Sequence, residues 1–396
     1  MTLPKSYNRG RTAAIAYLCM LFEGGGTMLL SATKQPVMDL YGIGITEFST
    51  VLTIRSIVCG VMPFFCGGLS DRLGRKKTIV FGLLMFLAFY LLVPQVPLYG
   101  MLIGSVAVLG IGYSMVDPAA QALLFDCYEH PAFQLVFIQV AFAGGGMIVP
   151  FAVSFLMGRG LSFKVAYWVW LGYCILLFCY VLLQGFPKMA GKSEERAEKM
   201  ESLFAVSPVW FREGLAICLF TVLNNVVNSG IANYADIYGR TVFGMDSASA
   251  VQILSFYQAG CVIGSLASAR LVMKVHPARL IVTETAFAFA AMLLAMFSGN
   301  SFLFILALFG VGLGTGVQFS LCIGLAGELF WKNTGAAAGA VSSASAVGIA
   351  LASVLGGALL SGAGVRVYYW VITAAAGVEL LSGVGVNLLY KRVTGA

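Results

Sequence analysis

The sequence predicts an all-α integral membrane protein: twelve transmembrane helices in two six-helix bundles, with both termini in the cytoplasm. Three observations carry that expectation. The chain of 396 residues is 59% hydrophobic and 10% charged, against about 25% charged for a soluble domain. Its apolar residues gather into stretches of about 18 or more, the length that crosses a hydrocarbon core about 30 Å thick. A pattern of glycines and acids also repeats at an offset of 202 residues.

The spans run in order over roughly 12–34, 46–69, 78–96, 98–121, 133–157, 164–186, 213–236, 248–273, 279–298, 300–326, 334–361 and 366–389. The stretch "KSYNRGRTAAIAYLCML" resembles a signal peptide, but it runs on through Glu23 and three glycines without a convincing cleavage site. It is therefore read as the first span. Connections are short except for the polar, charge-rich segment between the sixth and seventh spans. That segment divides the chain into 1–186, a linker at 187–212, and 213–396.

Orientation follows from the basic residues, which gather on the cytoplasmic side of membrane proteins. With the N-terminus inside, 18 of the 24 Lys and Arg fall on that side. Lys34, Arg159, Lys164, Arg240 and Arg366 fall outside, and Arg55 lies within the second span. The net charge of +7 is thus a matter of topology and implies no nucleic-acid partner. The nine cysteines lie in spans or at their inner ends, so no disulfide framework is expected. No outer loop carries an Asn-x-Ser/Thr acceptor, which fits a bacterial inner membrane.

The repeat supports the division into halves. Gly110 and Gly112 are followed by Asp126, and Gly312 and Gly314 by Glu328, with the same spacing. Aligning Gly67 of "GGLSDR" with Gly264 of "GSLASAR" places Ser268 opposite Asp71. Parallel repeats of this kind are a transporter architecture.

Between the second and third spans stands "GGLSDRLGRKK". It resembles the signature G-x-L-[SA]-D-R-x-G-R-[KR]-[KR] of the major facilitator superfamily, matching at Gly67, Leu69, Ser70, Asp71, Arg72, Gly74, Arg75, Lys76 and Lys77. The resemblance covers the whole chain. It implies alternating access, with Gly67, Asp71, Arg72, Gly74, Arg75, Asp126 and Glu328 in the cytoplasmic gate. It also implies that the first, fourth, seventh and tenth spans line the cavity. On the residues themselves, Gly74 permits a tight turn and Gly67 a close helix approach. Asp71 can cap a helix or pair with a cation, whereas the basic residues also serve retention on the inner side.

Ionisable residues inside a bilayer cost about 2.5–3.5 kcal/mol on insertion scales and face a cavity when they occur. Glu23 sits about 16 Å into its span at 1.5 Å per residue, near mid-depth. Arg55 and Asp117 lie at similar depth. Glu23 and Asp117 are the expected proton-coupling carboxylates. A fixed Glu23–Arg55 ion pair is the plainer alternative. Glu379, in the twelfth span, is expected to be structural. Glu284 lies close enough to an end to reach the interface.

Neutral polar residues form a second set: Asn224, Asn225 and Asn228 in "TVLNNVVNSGIANY", with Tyr113, Gln121, Gln139, Tyr257, Gln258 and Gln318. Amides both donate and accept, which suits hydroxyl-rich ligands; any one of them can equally serve to join helices. "GYSMVDPAAQ" resembles the fucose–galactose–glucose symporter family, with Asp117 and Glu23 at that family's acids, while Gln121 departs from its Asn and Arg55 has no counterpart.

The expected function is therefore secondary active transport of a small polar solute, a sugar or polyol first, by proton (or sodium) symport in a lipid bilayer, as a monomer. An organic-anion carrier anchored by Arg55 and a multidrug efflux antiporter are the alternatives; a receptor without flux is a further one. An enzyme is not expected. The two histidines lie in separate loops, no phosphate-binding loop appears, and neither cofactor nor metal is implied.

Overall fold

The computed structural model describes residues 8–128, 132–187, 204–330 and 334–395, and among them every regular element is a helix. In chain order these are α1 (Arg9–Ala32), α2 (Lys34–Tyr41), α3 (Ile45–Leu73), α4 (Arg75–Leu92), α5 (Tyr99–Cys127), α6 (Ala132–Gly158) and α7 (Lys164–Leu183). After a π-helical turn at Trp210–Gly214 come α8 (Leu215–Phe243), α9 (Ser247–Leu271), α10 (Pro277–Met296), α11 (Ser301–Thr315), α12 (Gln318–Leu329), α13 (Thr334–Gly362) and α14 (Val365–Thr394).

The helix ends follow local chemistry. Asn8 accepts from the Arg11 amide at 3.1 Å to start α1, and Asn300 accepts from Leu303 N at 2.9 Å to start α11. Asp246 caps α9 by accepting from Ser249, which holds its carboxyl below the ordinary range. Gly42 and Gly244 close α2 and α8 in the left-handed conformation, where a Cβ is disfavoured. Pro63, Pro118 and Pro150 lie within α3, α5 and α6. Neighbouring helices re-satisfy the freed backbone groups inside a membrane.

Among the described residues, eleven helical segments are long and apolar enough to cross a membrane, where the sequence predicts twelve. The stretch that falls short is α4, 18 residues long with Arg75, Lys76 and Lys77 in its first turn. Three further differences are local. A short helix, α2, fills what reads as an outer connection. The signature segment is not an open loop: α3 runs through Asp71 and Arg72 to Leu73, and Gly74 alone separates it from α4. The φ of 88° at Gly74 is a conformation glycine adopts without strain. The tenth span is broken at Gly316 and Val317 into α11 and α12.

Both chain halves use paired glycines to seat their fourth span. A Cβ on Gly110 would press on Val58 of α3 and one on Gly112 on Phe86 of α4. In the second half a Cβ on Gly312 would overlap the Tyr257 carbonyl of α9, and one on Gly314 would press on Glu284 and Ala288 of α10. The repeated spacing thus encodes the same two helix contacts twice. Across the halves, α6 packs on α9 and α3 on α13. The beginnings of α1, α4 and α10 and the ends of α5, α12 and α14 share one end of the bundle, linked by Arg9–Tyr128, Arg75–Asp126 and His276–Glu328–Tyr390 contacts. This is the terminal end of the bundle.

Candidate functional site

At mid-depth in the first half, α1, α3, α4 and α5 bring polar groups together. Glu23 and Arg55 are buried, at 2% and 6% exposure, inside an apolar surround. Tyr113 donates to the Glu23 backbone oxygen at 3.1 Å and receives the Thr27 hydroxyl at 3.1 Å. Asp117 accepts from Gln121 Nε2 at 2.8 Å, one turn along α5. Glu23 and Asp117 lie within electrostatic reach of each other. Arg55 is within such reach of Tyr90, Tyr113 and Cys59.

Three polar atoms of this cluster are buried without a hydrogen-bond partner: Glu23 Oε1, Arg55 Nη1 and Tyr90 OH. The ion pairs among the described residues do not include Glu23 with Arg55, so the fixed pair allowed by the sequence is not formed. Buried polar groups are partnered in the great majority of cases, and an unpaired buried charge costs several kcal/mol. A donor, an acceptor and a hydroxyl left open in one place are suited to a ligand.

The second half holds a different arrangement. Asn224 Nδ2 donates to Gln318 Oε1 and, at 3.0 Å, to Glu379 Oε1. Gln318 Nε2 donates to Thr285 Oγ1 at 3.0 Å and to the Gly314 carbonyl at 2.6 Å. Asn228 receives the Tyr257 hydroxyl and donates to the Asn224 carbonyl at 3.0 Å, while Asn225 donates to Thr221 O at 2.9 Å. Thus α8, α9, α10, α12 and α14 are tied by one network. Gln258 stands apart: at the boundary between the halves its Nε2 meets the weak acceptor Met28 Sδ at 3.5 Å. Gln139 is half-buried on α6.

At the terminal end Arg75 Nε pairs with Asp126 Oδ2 at 3.2 Å. In the second half the matching acid Glu328 is met by His276, which caps α10 through Nδ1 and presents Nε2 to Glu328 at 3.6 Å. Tyr390 donates to the same carboxylate at 2.8 Å. The side chains of Gly67, Asp71 and Arg72, and His130 altogether, lie outside the described residues.

Residues the sequence reading passed over stand at the opposite end. Lys34, counted there as a topological charge, forms a buried ion pair with Asp236 at 2.7 Å. Both read as helix-end charges of the kind that face water; only their partnership across 202 residues sets them apart. Tyr90 read as core, and nothing in the sequence marks its hydroxyl.

A bundle of membrane-crossing helices built twice from one plan, with charged groups buried among them, fits a membrane transport protein. The model of the Major Facilitator Superfamily matches residues 16–299, and the chain belongs to that family. It is similar to the uncharacterized MFS-type transporter YfkL of Bacillus subtilis (strain 168), 21% identical over 98% of both chains. It is similar to the inner membrane transport protein YdiM of Escherichia coli (strain K12), 23% identical over 85% of this chain and 84% of that one. A protein TsgA homolog of Yersinia enterocolitica is 22% identical over 65% of this chain and 64% of its own. The protein is a multi-pass membrane protein and a secondary transporter, not an enzyme.

Proposed function

We propose that this protein carries a small organic anion across the bacterial inner membrane by proton-coupled symport, with Arg55 as the anchor for a carboxylate. The observation that carries this is the buried, unpartnered Nη1 of Arg55, in a cluster where Tyr113 lies within electrostatic reach of both Arg55 and Glu23 and Glu23 Oε1 is likewise unpartnered. A guanidinium is a fork that matches a carboxylate, and a ligand that completes it removes the cost of the lone charge. Glu23 and Asp117 are the proton carriers. The coupling is that substrate and proton each favour the other's binding, a shared free energy.

Twelve spans are proposed, α4 being the one that the eleven clear segments omit, with the terminal end in the cytoplasm. The two units are 1–186 and 213–396, joined by the linker at 187–212, and the protein acts as a monomer by alternating access. Gly67, Asp71, Arg72, Gly74, Arg75, Asp126 and Glu328 form the inner gate. A sugar or polyol is the second reading. It is favoured by Gln258, whose amide meets only a thioether in the described hydrogen bonding and is available for a ligand hydroxyl. Asn224, Asn228 and Gln318 speak less for it, because their amides are already engaged.

The test is a thermal-shift panel of monocarboxylates, dicarboxylates, sugars and polyols on the purified protein, repeated with Arg55→Gln. The anion reading expects stabilisation by a carboxylate that the variant loses. Stabilisation by sugars alone, kept in the variant, would overturn it in favour of the second reading.

A further inference from the structure

We propose that Lys34 and Asp236 form a charge latch that clamps the two chain halves together at the end opposite the termini, and that this end opens only when the pair parts. Lys34 opens α2 in the first half; Asp236 lies two turns from the end of α8 in the second. The side chains are 0% and 5% exposed, and Nζ stands 2.7 Å from Asp236 Oδ1. The same ammonium donates to the Asn233 carbonyl at 2.5 Å and lies 5.2 Å from the centre of the Tyr234 ring. One cation is thus held by three residues within four positions of α8, Asn233, Tyr234 and Asp236.

A second layer surrounds it. Ser31 of α1 donates to Asn233 Oδ1 at 2.8 Å, and Ser49 of α3 bonds the Tyr234 hydroxyl at 2.8 Å. Arg240 stands 3.6 Å from Asp236 Oδ2 and donates to Gln35 Oε1 at 3.4 Å. Three segments of the first half therefore converge on one helix of the second.

The chemistry makes this a switch between two states. Closed, the lysine and the carboxylate compensate each other away from water. Fully open, both are hydrated. Partly open, Lys34 is a buried charge without its carboxylate and Asp236 keeps only Arg240 of its own helix, a costly arrangement. Interfaces with no stable midpoint move between discrete states. The latch needs no ligand and stands independently of what Arg55 binds.

The experiment is hydrogen–deuterium exchange with mass spectrometry on the full chain in lipid nanodiscs, without substrate, together with thermal unfolding. The variants are Lys34→Met, Asp236→Leu and the double Lys34→Met/Asp236→Leu. Asp236→Leu leaves the buried Lys34 without its carboxylate, and Lys34→Met leaves Asp236 with only the longer 3.6 Å contact to Arg240 on its own helix. Each single variant should speed exchange about tenfold or more in peptides covering 28–41 and 231–243 while 215–227 keeps the parent rate. The double variant leaves no lone charge and should return towards the parent, the non-additivity expected of a coupled pair. Parent-like exchange in the singles would overturn the latch. So would a rise throughout the chain with lower thermal stability and no recovery in the double, which would mean that the pair is cement for the fold. Either failure leaves the Arg55 reading standing, and loss of carboxylate binding leaves the latch standing.

Discussion

Around Asn224 each amide side chain donates to a neighbour, whereas around Arg55 three buried polar atoms have no partner. Both clusters sit at mid-depth, each in one copy of a repeated unit, yet their hydrogen bonds are spent differently. The Asn224 network reaches α8, α9, α10, α12 and α14, so its energy goes into holding helices in place. The Arg55 cluster is held in position by packing and by the Tyr113 bonds, and its charges remain uncommitted. The contrast shows that polar residues in a membrane divide into two kinds, and that the division is set by geometry and not by residue type.

The comparison breaks most sharply at Arg55. Arg55→Gln should reduce flux in reconstituted vesicles about 100-fold or more, in the range found when one member of a buried charge pair is removed. Its unfolding temperature should not fall and should rise if anything, because the variant removes a buried charge that has no protein partner at Nη1. Parent-like flux would place the anion site elsewhere.

Next in size is coupling. Glu23→Gln and Asp117→Asn should abolish accumulation against a gradient yet keep counterflow exchange, which moves no net proton. Vesicles with and without a pH gradient read both. Loss of counterflow in both variants would make these acids part of binding or structure, and dependence on sodium instead of pH would replace the proton.

The second cluster should answer in the opposite currency. Asn224→Ala strips Glu379 and Gln318 of a buried donor and should cost about 1–3 kcal/mol of stability, seen as a lower unfolding temperature with ligand affinity little changed. If affinity collapses and stability holds, the two clusters exchange roles.

The smallest effect should come from Tyr90→Phe. Its hydroxyl has no partner to lose, so stability should be unchanged or slightly raised. A ligand that uses it would lose about 0.5–1.5 kcal/mol, several-fold in affinity by titration.

Much of the architecture is legible in the sequence because hydrophobic length and the repeated glycines state it directly. The spacing of Gly110, Gly112, Gly312 and Gly314 corresponds to real contacts with the next helices, and Glu23, Arg55 and Asp117 stand out as charges where none should be. What stays hidden depends on who meets whom. Nothing in "LNNVVN" distinguishes amides that bind solute from amides that bond Gln318 and Glu379, since both need the same residues. Lys34 and Asp236 look like ordinary charges at helix ends, because sequence reports the approach to the membrane surface but not the presence of another helix there. The one-residue joint at Gly74 reads as a loop because its cations suggest solvent, while the backbone around it stays helical.

The break between α11 and α12 carries a mechanical consequence. Its counterpart α5 runs from Tyr99 to Cys127 without a break but holds Pro118, which removes one helix hydrogen bond, so the two repeats contain rods that are jointed differently. A jointed rod concentrates bending at its joint, and here that joint is spanned by the Gln318 side chain, which holds the carbonyl of Gly314. The second half can therefore yield at a full break in the helix, where the first has only the single hydrogen bond lost at Pro118. A cycle built on such parts would be lopsided, with the first half acting as the lever and the second as the flexure.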